Sequence, residues 1–142
     1  MRYGGFLVTR IKQVSGRVLE RILANKGIDA FNGAQGRILF VLWQGDGVPI
    51  SELSRATGLA MTSLTSMLDR MEASGLIRRE RTSKDRRKVL ISLTDEARAL
   101  EKDYNEVSDE MNEIFYAGFS EAEAEQLDGY LRRVLDNIEA HL

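Results

Sequence analysis

Two short helices joined by a glycine-containing turn are predicted between Ser51 and Ala73, and this pattern limits the possible folds more than any other feature. Ser51 is the expected N-cap of the first helix, Gly58 lies in the turn, and Gly75 ends the second helix. A short helix, a turn and a second helix form the helix-turn-helix unit. We therefore expect the middle of the chain to fold as such a unit.

Two short strands joined by a polar connection follow the second helix. They are predicted at Leu76–Arg81 and Lys88–Leu93, because the second segment alternates and places Val89, Ile91 and Leu93 on one face. A hairpin directly after a helix-turn-helix makes the unit a winged helix-turn-helix. The predicted fold class is therefore mainly α with a small β-hairpin wing.

Charge is distributed unevenly along a chain whose net charge is only −2. Residues 76–90 carry seven basic and two acidic side chains, a net charge of +5. Such a local excess is typical of a surface that binds a polyanion, although a solvated loop can have the same composition. Residues 101–142 have a net charge of −9, which indicates either a solvated helix surface or a surface that repels DNA.

The outward face of the second predicted helix carries short hydroxyl side chains near its N-terminus, where a recognition helix meets base edges. Many solvent-exposed faces are rich in Ser and Thr, so it is the basic hairpin directly afterwards that favours DNA. The residues expected to contact bases are Thr62, Ser63, Thr65 and Ser66. Those expected to position phosphates are Ser51, Arg55 and Arg70.

The predicted wing supplies the second group of DNA-binding candidates. They are Arg81, Lys84, Asp85, Arg86 and Arg87. Arg86 and Arg87 are placed where a hairpin tip can reach a narrow minor groove, whose negative potential attracts arginine. Asp85 has two interpretations: it pairs with Arg87 and fixes its direction, or it forms the turn, as Asp commonly does.

The first and last segments of the chain are predicted as helices with apolar stripes and no obvious element to cover them. One helix is expected over Tyr3–Asn25, one over Asp95–Ala117, and a last one after Ser120. Because such helices need packing to be stable, two-fold self-association is the expected solution. The predicted domains are dimerisation helices at residues 1–30 and 95–142 and a winged helix-turn-helix DNA-binding domain at residues 31–94.

Composition disfavours several other classes of protein. The chain has no cysteine and one histidine, His141, so it offers no thiolate nucleophile and no metal-ligand spacing. The longest apolar run, Ile38–Trp43, is expected to be a buried central helix and is far short of the about 20 residues that span a bilayer. We expect a cytoplasmic protein that is not an enzyme, has no metal or cofactor, and does not enter a membrane.

The segment Asp85–Thr94 resembles the wing signature of the multiple antibiotic resistance regulator (MarR) family, an Asp-x-Arg followed by an alternating strand that ends in Leu-Thr. Leu53–Leu59, Leu64–Ile77 and Arg81 also resemble that family, and the helix order is similar over nearly the whole chain. Ala97 departs from the pattern, because the family often has Gly there. The resemblance implies a homodimeric transcriptional regulator, a repressor, whose recognition helices enter successive major grooves about 34 Å apart in pseudo-palindromic double-stranded DNA.

The resemblance also implies a small aromatic or phenolic effector, bound between the first, second and fifth helices. The candidate residues are Arg10, Gln13, Ser15, Arg17 and Tyr104. For Ser15 the alternative is a hydroxyl that bonds back to its own helix. The rival function is a winged-helix protein-interaction module that binds an acidic partner through the same basic wing.

Overall fold

The computed structural model describes residues 1–82 and 88–142, which fold into helices and one small sheet. The first unit, Met1–Val107, and the second, Ser108–Leu142, are each compact. The helices are α1 Gly4–Asn25, α2 Gly33–Gln44, α3 Ile50–Thr57, α4 Met61–Ala73, α5 Asp95–Ala99, α6 Glu101–Phe115 and α7 Glu121–Glu139. The strands are β1 Val48–Pro49, β2 Ile77–Arg81 and β3 Val89–Leu93. The predicted fold class, mainly α with a small β wing, is confirmed.

The sheet of the first unit is antiparallel with the strand order β1-β3-β2. Ile77 pairs with Leu93 and Val48 with Ile91, so β3 lies between the other two strands. Strand β1 was not predicted, because the glycines and Pro49 around it indicate a break. It forms because Gly47 donates its amide to the Ile91 carbonyl at 2.8 Å, which aligns the next two residues with β3.

The core of the first unit is built from one side of each helix and the inner face of the sheet. Its fully buried large side chains are Ile38, Leu39, Leu42, Leu53, Leu64, Leu68, Met71, Ile77, Ile91 and Leu93. Helix α2 is central, as predicted, but it is not buried all round. Phe40 is 45% exposed, because Ile38, Leu39 and Leu42 already fill the inward side of the helix.

Three helices begin with a side-chain cap of the kind that Asn, Ser and Thr favour. Asn32 and Gln35 form a capping box at the start of α2, Ser120 and Glu123 form another at the start of α7, and Thr94 caps α5. These caps depend on side chains close in sequence, which explains why the pattern predicts them.

The predicted cap at Ser51 is wrong. Helix α3 begins two residues earlier than predicted, at Ile50, and its N-cap is Pro49, which makes no side-chain cap hydrogen bond. Proline holds φ near the helical value, here −72°, so the helix can start without a side-chain acceptor. Ser51 therefore lies within the first turn.

The single long helix predicted over Asp95–Ala117 is also wrong, because Leu100 separates α5 from α6. The Ala97 carbonyl accepts a hydrogen bond from the indole Nε1 of Trp43 at 3.1 Å and another from the Leu100 amide at 3.2 Å. A side chain that enters the helical hydrogen-bond ladder in this way interrupts the helix.

Helices in both units carry apolar side chains that their own unit leaves exposed. On α1 these include Phe6, Leu7, Val8, Ile11 and Val14, and on α7 they are Tyr130, Leu131, Val134, Leu135 and Ile138.

In the second unit the hydroxyl of Tyr116 donates to the carboxylate of Asp128, which joins the residues after α6 to α7. The functional division into dimerisation helices and a DNA-binding domain stays a prediction. In the described part of the chain, no helix is both long enough and apolar enough to cross a membrane.

Candidate nucleic-acid interface

Helix α4 has one fully buried side and one exposed side. Leu64, Leu68 and Met71 have no exposed surface and fix the orientation of the helix. The four predicted base-contacting residues, Thr62, Ser63, Thr65 and Ser66, are all exposed on the other side. The structure therefore brings these four hydroxyl groups together on one solvent-facing surface of the helix.

The start of α4 is suited to an anion. Its N-cap is Ala60, which makes no side-chain cap hydrogen bond, so the first amides of the helix are open to a phosphate oxygen. The Thr65 hydroxyl donates to the Met61 carbonyl at 2.8 Å, and its proton is thus engaged within the helix. Towards DNA, Thr65 can offer oxygen lone pairs and a methyl group.

The turn between α3 and α4 is braced by two hydroxyl groups that the sequence analysis did not single out. Ser54 Oγ donates to the Leu59 carbonyl at 2.7 Å, and Thr57 Oγ1 accepts from the Leu59 amide at 3.2 Å. Gly58, with φ of 75°, supplies the left-handed residue of the turn. The sequence feature that could have indicated these contacts is the presence of Ser54 and Thr57 shortly before Gly58.

Among the predicted phosphate contacts, Ser51, Arg55 and Arg70 are all exposed. Ser51 and Arg55 lie on α3, and Arg70 lies on α4. A side chain must be exposed to contact a phosphate, and these three are. That each of them contacts a DNA phosphate stays a prediction.

The basic footprint of the wing is partly neutralised by the protein itself. Arg79 Nη1 lies 2.7 Å from Asp69 Oδ1 and 3.4 Å from Glu72 Oε1, and Arg78 Nε lies 3.7 Å from Glu80 Oε1. Asp69 and Glu72 lie outside residues 76–90, so the net charge of +5 for that segment does not include them. The positive charge that the segment presents to a partner is therefore smaller than this count. Lys84, Asp85, Arg86 and Arg87 lie outside the described residues, and Arg81 is exposed at the end of β2.

The part of the chain that carries this candidate interface matches a known protein family. The MarR family model matches residues 31–89, which include α2, the helix-turn-helix and β2. The chain is 36% identical over 95 residues to the HTH-type transcriptional regulator TtmR of Methylorubrum extorquens, an alignment that covers 67% of this chain and 47% of TtmR. The chain belongs to the MarR family. It spans about half the length of this relative.

Solved structures of MarR proteins share the fold over nearly the whole chain. A Cys-to-Ser mutant of MarR from E. coli complexed with operator DNA has a TM-score of 0.83 and 25% sequence identity, over 92% of each chain. BpsR of Bordetella bronchiseptica, whose DNA binding is regulated by 6-hydroxynicotinic acid, has a TM-score of 0.84 and 23% identity, over 93% of this chain and 92% of BpsR. TtmR is a regulator of transcription and the E. coli MarR protein is a binder of operator DNA, and this agrees with the regulator predicted from the sequence.

Thr94, the last residue of the MarR-type wing signature, has a structural role beyond its cap. Its hydroxyl donates to the Gly75 carbonyl at 2.6 Å and accepts from the Ala97 amide at 3.2 Å. Thr94 thus joins the end of α4 to the start of α5. The contact with Gly75 was not predicted from the sequence, because the two residues are 19 positions apart.

The structure places the predicted effector residues of this MarR chain on two features, the outer surface of α1 and an aromatic cluster around Tyr104. Arg10 and Ser15 line a shallow, open surface whose other lining residues are also from α1. Tyr104 instead lies in an aromatic cluster, with its ring centroid 5.1 Å from Trp43, 5.8 Å from Phe40 and 6.1 Å from Phe31. Gln13 and Arg17 are exposed on α1.

Burial raises the pKa of the Tyr104 hydroxyl above its ordinary value, and the Arg37 guanidinium opposes this shift. The phenol is therefore neutral at physiological pH and can donate a hydrogen bond. Among the described residues no cluster of His, Asp and Glu could hold a metal ion.

Proposed function

We propose that the protein is a transcriptional repressor that binds a pseudo-palindromic operator in double-stranded DNA as a homodimer. The observation that carries this proposal is the exposed hydroxyl face of α4, opposite the fully buried Leu64 and Leu68. A helix that is locked on one side and offers short polar groups on the other is suited to base readout in the major groove. The operator complex of the E. coli MarR mutant supports the same role.

The predicted DNA contacts divide by the part of DNA that each group meets. Thr62, Ser63, Thr65 and Ser66 meet base edges. The phosphates are positioned by Ser51, Arg55 and Arg70. The wing residues are Arg81, Lys84, Asp85, Arg86 and Arg87. Of these, Arg86 and Arg87 would reach the minor groove, and Asp85 would either pair with Arg87 or form the turn.

The homodimer is supported by the apolar side chains that α1 and α7 expose. Ile11 is 47% exposed on α1, and Val134 and Leu135 are 50% and 55% exposed on α7. Contiguous exposed apolar side chains on helices mark an interaction surface. A second copy of the chain would cover them and place two recognition helices about 34 Å apart, one turn of DNA.

An effector is proposed for the same protein, because the related fold of BpsR responds to a small aromatic acid. Two separate contacts are candidates for a small aromatic or phenolic molecule. The aromatic cluster around Tyr104 would pack against its ring, and Arg10 or Arg17 could pair with the carboxylate of a molecule bound at α1. Such a ligand weakens DNA binding only to the extent that it binds more tightly to one spacing of the two recognition helices than to another.

The proposed place of action is the cytoplasm. The rival function, binding of an acidic protein partner, gains no support from the relatives.

The test is selection of bound duplexes from random-sequence DNA by the purified protein, followed by affinity measurement on the selected duplex. The expected result is a sequence with two-fold related half-sites, and a Kd that rises steeply with salt because phosphate contacts release counterions. The double variant Thr62→Ala/Ser66→Ala should weaken binding to that duplex, while Thr9→Ala, an exposed hydroxyl on α1, should not. A failure to enrich any sequence, or an affinity independent of salt, would refute the proposal.

A further inference from the structure

The side chain of Arg79 in β2 lies against α4 and is 25% exposed. Its Nη1 lies 2.7 Å from Asp69 Oδ1 and 3.4 Å from Glu72 Oε1, and its Nη2 donates to the Thr65 carbonyl at 3.4 Å. Positions 65, 69 and 72 lie on one face of a helix. A single guanidinium therefore joins this strand to three points along the recognition helix.

The main chain of Arg79 is held by the same helix. Strand β2 is at one edge of the sheet, so the amides that point away from β3 lack a partner strand. The Arg79 amide donates to Glu72 Oε2 at 3.3 Å. Glu72 thus binds both the backbone and the side chain of Arg79 and fixes the strand against α4.

Asp69 introduces a negative charge on the face that would meet DNA. Asp69 lies three residues after Ser66 and seven after Thr62, so the three share one face of α4. Its side chain is 62% exposed. An unpaired carboxylate at this place would repel the phosphates of a bound duplex. The Arg79 guanidinium supplies the opposite charge directly beside it.

We propose that Arg79 is a positioning residue for DNA binding, which neutralises Asp69 and Glu72 and holds the wing strand against the recognition helix without touching DNA. This inference rests on the proposed function. It also assigns Arg79 a role different from that of Arg81, Lys84, Arg86 and Arg87, which are expected to contact DNA directly.

The test uses the full chain and the duplex that the wild-type protein selects. Arg79→Gln should bind at least tenfold more weakly, because it leaves two carboxylates unpaired. Arg79→Lys should bind with intermediate affinity, and Arg79→Gln/Asp69→Asn should regain most of the loss. Arg78→Gln is the matched control, since Arg78 pairs with Glu80 on its own strand, and it should change the Kd less than threefold.

Two further readouts separate positioning from direct contact. The dependence of log Kd on log salt should keep its slope in Arg79→Gln, whereas a lost phosphate contact would lower it by about 0.9. Amide hydrogen exchange of residues 77–81, measured without DNA, should be faster in Arg79→Gln.

The inference is overturned if Arg79→Gln binds like the wild type, if the double variant stays as weak as the single one with a reduced salt slope, or if exchange at residues 77–81 is unchanged. If the wild-type protein selects no DNA sequence, the proposed function fails, while the exchange experiment still decides whether Arg79 holds the strand.

Discussion

Arg98 Nη2 lies 2.8 Å from Asp46 Oδ2, and this ion pair joins the loop before β1 to α5, the helix that follows the wing. The same carboxylate oxygen accepts the amide of Leu93 at 2.8 Å. The side chain of Asp46 is 24% exposed and that of Arg98 is 54% exposed. Asp46 is therefore the more important partner, because it also satisfies a backbone amide at the end of β3.

Asp46→Ala should lower the free energy of unfolding by about 1–3 kcal/mol, because the Leu93 amide loses its acceptor. Arg98→Ala should lower it by less than about 1 kcal/mol, as expected for a partner in an exposed ion pair. Urea denaturation of both variants checks this difference. Equal losses in the two variants would show that the ion pair, and not the backbone contact, carries the stabilisation.

Gly58→Ala should destabilise the protein by about 1–2 kcal/mol, because φ of 75° places a side chain in the left-handed region. No atom lies within 4 Å of the added Cβ, so the cost is conformational rather than a clash. Gly45→Ala is the matched control: its Cβ also meets nothing within 4 Å, and its φ of 172° is extended. Thermal unfolding of the two variants should differ, and similar midpoints would contradict the explanation.

Tyr104→Phe should make the protein less sensitive to alkaline pH. Because burial raises the pKa of Tyr104 in the folded state, its contribution is fully present below about pH 10 and is lost as the pH rises through the folded-state pKa. The hydrogen bond to Asp128 raises the pKa of Tyr116 in the same direction, so the single variant removes only part of the dependence. Urea midpoints at pH 7 and at several values above pH 10 check this, and an unchanged alkaline decline would contradict it.

Arg87→Ala should weaken binding to the selected duplex by about 1–3 kcal/mol if this arginine reads the minor groove. The prediction comes from the wing signature, because residues 83–87 lie outside the described part of the chain. Lys102→Ala, a change of the same charge on α6, is the control and should leave the affinity unchanged. Titrations at fixed salt decide, and equal affinity of Arg87→Ala and the wild type would remove Arg87 from the interface.

The features that the sequence predicts correctly depend on short-range patterns. The inward and outward sides of α4 follow from the spacing of Leu64, Leu68 and Met71, and the caps at Asn32 and Thr94 from side chains three residues away from their partners. The cap at Ser51 was wrong because Pro49 starts α3 in another way.

The features that the sequence does not predict depend on contacts between distant residues. The break at Leu100 involves the hydrogen bond of Trp43, which is 54 residues before Ala97. The role of Arg79 was hidden for a similar reason, since a count of charges along the chain does not show that Asp69 and Glu72 lie beside it. Composition identifies a basic segment, and only the folded arrangement distinguishes its paired cations from the others.

The interruption between α5 and α6 gives the molecule an optical reporter of its own. Trp43 is the only tryptophan of the chain, and its indole is bonded to the Ala97 carbonyl and packed against Tyr104. The emission spectrum of the unlabelled protein therefore comes from the point where the helix after the wing meets α2, and a rearrangement there can be followed by fluorescence without adding a dye.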